Sequence, residues 1–382
     1  MKKELFYKLL GLVFGLGLML TAILNLIKPQ SDFSEMENRT LSDFPTLNVE
    51  TLLDGTFMDK FETYLSDQFI LRDQARIVYM AYERLGGSAE SNGVIVCEDG
   101  QLLEDIVVPT DEHMVDLAYS LVSFQENYPD VNVSVMIAPD AAAVIDADIP
   151  DYVNVADQSE ILDAFEADLQ GRLNWIDCYS IMKDINSVSS IYYKTDHHWT
   201  TLGAYYAFLG AANSLGIESP GEIIYTPMVV SNHFNGALSS TSGFCQDEEE
   251  SLSVYLSEQT PAYVVEYVES GEVRPSLYFS EKLSEKDKYA VFFGGNYSVM
   301  DIRIAQDKDK SLLVIKDSFA NSFIPFLLPY YKEIVVVDPR YYGGTVSDIM
   351  EEYSLTDVLF LYSGNTFFQD KNIELFLQVS GS

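Results

Sequence analysis

The sequence is poor in three side chains that often announce chemistry or compartment: 4 histidines, 3 cysteines and 2 tryptophans in 382 residues. It is also poor in bases, with 23 Lys and Arg against 59 Asp and Glu, a formal net charge of −36. So acidic a chain repels nucleic acid and has no counterion-release term to drive such binding. It suits a neutral sugar, or the cation-rich exterior of a cell wall, better than a polyanion. Cys97, Cys178 and Cys245 lie far apart and form no CxxC. At most one disulfide could form, none is the expected state, and a zinc cage has no support. Neither repeats nor low-complexity tracts are evident.

Long hydrophobic runs are also missing, with one exception. Lys2, Lys3 and Lys8 precede an apolar stretch from Leu9 to Ile27, broken only by glycines, Thr21 and Asn25. Its length is at the border of a membrane span, and no small-x-small cleavage site follows. It reads as an uncleaved signal anchor over residues 1–30, basic end in the cytoplasm and the remainder of the chain outside, the alternatives being a cleaved signal peptide or the buried helix of a soluble protein.

Residues 31–90 read as an extracytoplasmic arm followed by amphipathic helices between Val49 and Leu85, broken around Gln68–Arg72. From residue 91 the pattern becomes α/β. A hairpin over Asn92–Glu104 leads to helices near 112–127, 159–173, 201–215, 318–328 and 346–353. Short apolar strands fall near 131–137, 175–179, 312–315, 334–338 and 358–362. Such runs, separated by helices, predict buried parallel strands. Residues 216–290 break the rhythm and predict an insertion rich in antiparallel β, either a surface excursion or one wall of a cleft.

Two of the four histidines stand together in Lys194-Thr-Asp196-His197-His198-Trp199-Thr200. Histidine beside a carboxylate serves as an oriented base, a metal ligand or a buried pair. In an extended segment Asp196 and His198 share a side and His197 points away. Thr200 or Thr201 is a candidate N-cap for the next helix. Ser318 closes a buried strand, Ser311–Asp317, at the position where α/β sheets place their sites, and its backbone N–H could meet an oxyanion. Equally, Asp317 or Ser318 could simply cap a helix. Gly294-Gly295-Asn296-Tyr297 is a turn from which an asparagine amide can aim at an oxyanion.

Taken together, the Asp-His-His-Trp, Gly-Gly-Asn-Tyr and Lys316-Asp317-Ser318-Phe-Ala-Asn321 segments resemble the DHHW protein family of bacterial exported proteins. That family is similar to the alginate O-acetylation proteins, which have an SGNH-hydrolase-like domain. The resemblance runs over about residues 31–382 and takes in Glu37-Asn38-Arg39, Phe234-Asn-Gly236, Asp338-Pro-Arg340-Tyr341 and Tyr362-Ser-Gly-Asn365. It implies a three-layer α/β/α fold with a parallel central sheet and permuted motif order, preceded by the anchor helix. Carried over by residue, it implies Ser318 as nucleophile, His198 as base and Asp196 as the acid that orients it. Asn296 and the Ser318 N–H would be oxyanion donors, with His197, Tyr297, Arg340 and Asn365 on the substrate side. Two departures stand out: Lys316 replaces the glycine before Asp-Ser, and the acid–base spacing is Asp-x-His.

Asp196, His197, His198 and His233 form the alternative, a divalent-ion site. Adjacent histidines seldom converge on one ion, so neither metal nor cofactor is expected. The resemblance implies O-acetylation of a cell-surface polysaccharide through an acyl-serine, with a membrane-bound O-acyltransferase as acetyl donor. The alternatives are an O-acetylesterase on the same site, or a non-catalytic polysaccharide-binding scaffold.

Overall fold

The computed structural model describes residues 2–31, 33–34, 39–53, 55–186, 190–244 and 250–378. Cys245, Glu37, Asn38 and the acidic run 247–249 lie outside the described residues. The chain divides into two compact units, residues 1–91 with 240–243, and residues 92–239 with 244–382.

In the first unit, helix α1 (Lys2–Ile27) contains the stretch Leu5–Asn25, 21 residues long and nowhere buried. It is long and apolar enough to cross a membrane. Helices α2 (Thr56–Asp67) and α3 (Arg72–Leu85) are separated at the expected break. There Leu71 takes a left-handed φ of 57°, which a helix cannot continue. The end of α1 is tied to this break: Ile70 N–H donates to Asn25 Oδ1 (2.6 Å) and Ser31 N–H to Gln68 Oε1 (3.0 Å).

The second unit opens on an antiparallel hairpin, β1 (Val94–Val96) and β2 (Leu102–Glu104). Helices α4 (Asp111–Asn127) and α5 (Gln158–Asp168) alternate with strands β3 (Asn132–Ala138) and β4 (Asn174–Ile176). Helix α6 (Cys178–Asn186) then takes residues expected to end a strand. Asp177 explains the difference, because its Oδ1 accepts from Ser180 N–H at 3.0 Å and starts a helix. Helix α7 (Thr201–Ala211) follows, with Thr200 as its N-cap accepting from Gly203 N–H at 3.1 Å. Next come a ribbon, β5 (Thr226–Phe234) with β6 (Glu250–Leu256), and strands β7 (Tyr263–Tyr267), β8 (Glu272–Arg274) and β9 (Val299–Ile304). The unit closes with β10 (Ser311–Lys316), β11 (Glu333–Val337), α8 (Val346–Glu352), β12 (Asp357–Ser363), α9 (Gly364–Gln369) and α10 (Asn372–Leu377).

Eight strands form one sheet in the order β8-β7-β9-β11-β10-β12-β3-β4. Pairing is parallel from β11 through β10, β12 and β3 to β4. It is antiparallel among β8, β7, β9 and β11. The sheet is therefore mixed, a correction to the expected parallel one. The cause is that β9, not among the expected strands, joins β11 antiparallel, and β7 and β8, read as part of a separate insertion, extend the main sheet beyond it. Val265 and Tyr267 of β7 alternate into the same core as Met300 and Ile302 of β9.

Period-two alternation splits the strand residues between two cores. Leu312 and Val314 face one with Ala204, Ala207 and Phe208 of α7; Leu313 and Ile315 face the other with Leu121, Phe124 and Phe165. Helices thus cover both faces, which is why β10 and β12 are buried at every residue.

Candidate active site

The Asp-His-His segment is a tight loop. Tyr192 and Trp199 form an antiparallel bridge, Tyr193 N–H donates to His198 O (3.3 Å) and Thr200 N–H to Ile191 O (2.8 Å). Inside it, His198 N–H donates to Asp196 Oδ1 at 2.9 Å. This side-chain-to-backbone turn, not extended alternation, brings Asp196 and His198 together. The expected pair meets for a different reason. Glu250 braces the loop, accepting from Lys194 N–H (2.7 Å), Thr195 N–H (2.9 Å) and the Thr195 hydroxyl (2.9 Å). Trp199 is wholly buried and its indole N–H donates to Phe319 O and Ser322 Oγ, both at 3.0 Å. That pins the loop to the segment after β10.

His198 Nδ1 lies 2.5 Å from Asp196 Oδ1, and His198 Nε2 lies 2.8 Å from Ser318 Oγ. The second oxygen of Asp196 accepts from Ala237 N–H at 2.8 Å. Gly236 is required here, since a Cβ on it would stand 2.4 Å from Asp196 Oδ2. The Phe234-Asn-Gly segment is thus the wall behind the carboxylate. His198 and Asp196 are buried, and Ser318 is half-buried.

Ser318 does not begin a regular helix. A turn over Asp317–Phe319 leads to one short helical stretch, Ala320–Phe323, and then to tight 3-10 turns at Ile324–Phe326 and Leu328–Tyr330. The helix expected over 318–328 is broken because Pro325 and Pro329 each lack the N–H that a helix would need. So short a stretch supplies no useful macrodipole. The turn is built by Asp317, which accepts from Phe319 N–H (2.9 Å), Ser363 N–H (3.0 Å) and the Ser363 hydroxyl (2.7 Å). Among the described residues the Ser318 N–H has no hydrogen-bond partner.

Burial alone would raise the Asp196 carboxyl, but His198, His197 and the bonds from His198 and Ala237 outweigh it and hold it well below the carboxylate range. Burial, helped by His197, pushes His198 below an ordinary imidazole, so a neutral ring faces an ionised carboxylate. For His197 burial pulls downward, but Asp196, Glu104, Asp317 and Asp140 outweigh it and raise the ring. Asp196, His197 and His198 could offer metal-ligand atoms within 4.8 Å of one another. Those of Asp196 and His198 are instead committed to each other and to Ser318, the pattern of a hydrogen-bonded relay.

The remaining sequence-predicted residues separate. Asn296 follows a strained turn in which Phe293, Gly294 and Gly295 all have positive φ (66°, 81° and 133°). It is exposed, and its Oδ1 accepts from Lys316 Nζ at 3.3 Å. Since an ammonium only donates, the Asn296 NH2 faces the other way. Lys316, at the departure from the glycine pattern, is fully buried and reaches Asp338 at 3.5 Å; Arg340 forks onto the same carboxylate at 2.9 and 2.7 Å. Tyr297 packs on Tyr267 with ring centroids 4.5 Å apart. Asn365 is spent on structure: its Nδ2 donates to Asp105 O (2.8 Å) and its Oδ1 accepts from Val107 N–H (2.9 Å). A substrate-side role for its amide is withdrawn for that reason.

A family model described as DHHW protein matches residues 125–337, more than half of the chain. The chain belongs to the DHHW family. Its fold is similar to a DHHW family protein from Eubacterium siraeum, with a TM-score of 0.65 and 21% identity over 76% of this chain and 98% of that one. It is also similar to Bacillus cereus PatB1 with a sulfonyl adduct, with a TM-score of 0.59 and 22% identity over 74% of this chain and 97% of that one. A second structure of Bacillus cereus PatB1 matches with a TM-score of 0.60 and 19% identity over 74% of this chain and 99% of that one. No curated protein matches.

Sequence reasoning missed Glu250, Tyr289 and Ser322 in this DHHW site. Glu250 ended an acidic run and carried no local signal. Tyr289 was one of 25 tyrosines. Ser322 gains its role only when Trp199 arrives from 123 residues away.

Proposed function

We propose that the chain is an extracytoplasmic Ser-His-Asp acyltransferase, held to the membrane by α1, that O-acetylates a cell-surface polysaccharide. The observation that carries this reading is the unbroken contact from Asp196 through His198 to Ser318 Oγ. In the first half-reaction His198 Nε2 takes the hydroxyl proton as Ser318 Oγ attacks the donor's acyl carbonyl. The oxyanion meets the Ser318 N–H, with the Asn296 NH2 as the second proposed donor. Collapse expels the donor's oxygen, which leaves with the proton from His198, and an acyl-serine remains. A carbohydrate hydroxyl then gives its proton to His198 and attacks the ester, and Ser318 regains its proton as it leaves. The neutral state of His198 supports both proton transfers.

The acidic surface supports an uncharged glycan over a polyanion as acceptor. His197 and Arg340 are the proposed acceptor-side groups, with 30% and 27% of their side chains exposed. An anchor leading with its basic end would put the second unit outside the cell, beside a membrane-bound acetyl donor. The test compares Ser318→Ala with wild type, using p-nitrophenyl acetate and an active-site serine probe. Loss of turnover and of labelling is expected; equal rates with unchanged labelling overturn the proposal.

A further inference from the structure

Tyr289 lies on a 3-10 turn, Lys288–Val291, outside every motif considered above, and is buried. Its ring lies face to face with His198, with centroids 3.8 Å apart and planes at 12°. The other rings near His198 meet it tilted: His197 at 4.0 Å and 34°, Phe319 at 5.2 Å and 42°. The Tyr289 hydroxyl donates to Ser322 Oγ at 3.1 Å and approaches the Ser318 carbonyl at 3.4 Å. Ser322 also receives the Trp199 indole N–H. One tyrosine therefore touches the base through its face and the Ser318 turn through its tip.

We infer that Tyr289 is a positioning residue of this site, holding the His198 imidazole in plane and stabilising its protonated form by contact with the aromatic face. The inference rests on the acyl-transfer reading and deepens it. An aromatic quadrupole presents negative charge at its face, so a cation stacked there is favoured over a neutral ring, more so away from water. In the proposed reaction His198 becomes a cation as Ser318 attacks, so the contact strengthens toward the transition state. The charged groups facing His198 are Asp196 and His197 on its own loop and Asp317 at the end of β10; Glu104, and Asp140 once it ionises, face His197. Against this set, Tyr289 favours the imidazolium without adding a charge.

The test replaces Tyr289 with Phe and with pentafluorophenylalanine, whose ring has nearly the same shape but a reversed quadrupole. Both retain an aromatic ring against Phe292, so both are expected to fold, which thermal melting checks. The readout is the titration of His198 by NMR, tractable in a chain with 4 histidines. Relative to Tyr289→Phe, the fluorinated ring is expected to lower the His198 pKa by about half a pH unit or more. The acid limb of kcat/KM should move the same way. Equal His198 titrations in the two variants overturn the inference, since a residue that only fills space would not respond to ring electronics. Serine-probe labelling of wild type is the separate check on the underlying reading. No label, with a His198 titration that still moves, overturns acyl transfer while the stacking effect stands.

Discussion

His198 Nε2 lies 2.8 Å from Ser318 Oγ although 120 residues separate them in the chain. The approach is fixed from both sides. Trp199 ties the histidine loop to Phe319 and Ser322, while Asp317 fastens the Ser318 turn to Ser363 on the neighbouring strand β12. Neither loop can drift without breaking buried hydrogen bonds, and such losses cost about 1–3 kcal/mol each. The two groups that must exchange a proton are therefore aligned before any substrate arrives.

Asp196→Asn should disable the base. Asp196 Oδ1 accepts from His198 Nδ1–H and Oδ2 from Ala237 N–H, whereas an amide has one acceptor oxygen. Oδ1 also accepts from the His198 N–H, so an amide must turn its NH2 onto a donor whichever way it lies, and the imidazolium loses its charged partner. Steady-state turnover of p-nitrophenyl acetate is expected to fall roughly 10²–10⁴-fold with little change in KM. A loss below tenfold in a folded variant would count against Asp196 as the orienting acid.

His197 should act on the pH profile. It is raised by its acidic neighbours, and as a like charge it opposes protonation of His198. In the wild type, activity should fall as pH drops through a His198 pKa below the ordinary imidazole value. Removing the competing cation makes His198 easier to protonate, so His197→Gln should move the acid limb of kcat/KM to higher pH. A limb that stays put, or moves down, contradicts this placement of charge.

Much of this site could be read from the sequence because its members stand at punctuation points: Asp196 and His198 before a helix cap, Ser318 just after a strand with an apolar centre at residues 312–315. What could not be read depends on partners far away in the chain. The segment 319–331 is nearly all buried, so no polar face marks its periodicity, and its two prolines decide that it turns rather than spirals. The alternation of β7 suits a free ribbon and an added sheet strand equally well, and only pairing with β9 distinguishes them. Asn365 stood on the substrate side by resemblance, yet its amide bonds to Asp105, 260 residues earlier. Lys316 looked like a broken motif until Asp338 and Asn296 came beside it.

That buried group predicts an order of stabilities. Asp338 holds Arg340 bidentately and lies 3.5 Å from Lys316, and both Asp338 and Lys316 are inaccessible to solvent. Asp338→Ala leaves two cations without their counter-ion and should cost about 3–5 kcal/mol. Lys316→Met leaves Asp338 still paired with Arg340, and should cost about 1 kcal/mol, the net value of a hydrogen bond. Denaturant unfolding of the two variants decides; the reverse order would mean that Lys316, not Arg340, neutralises the carboxylate.

Asp140 predicts how stability changes with pH. Burial pushes its carboxyl up to about 7, with Glu104 and Asp317 adding to the effect and bonds from Gln158 and Asn365 opposing it. In the unfolded chain the same group titrates near 4, roughly the model-peptide value. Between those values the unfolded chain ionises while the folded one stays protonated, so this group's contribution to stability is full below about pH 4 and is lost as pH rises toward 7. Asp140→Asn removes that loss. Its carbonyl can still accept from Gln158 Nε2 and Asn365 N–H, at 2.6 and 2.8 Å in the wild type. The unfolding free energy of the variant relative to wild type should therefore climb across this window, by on the order of 4 kcal/mol at most. A difference that stays flat from pH 4 to 8 would show that Asp140 is already ionised in the folded protein.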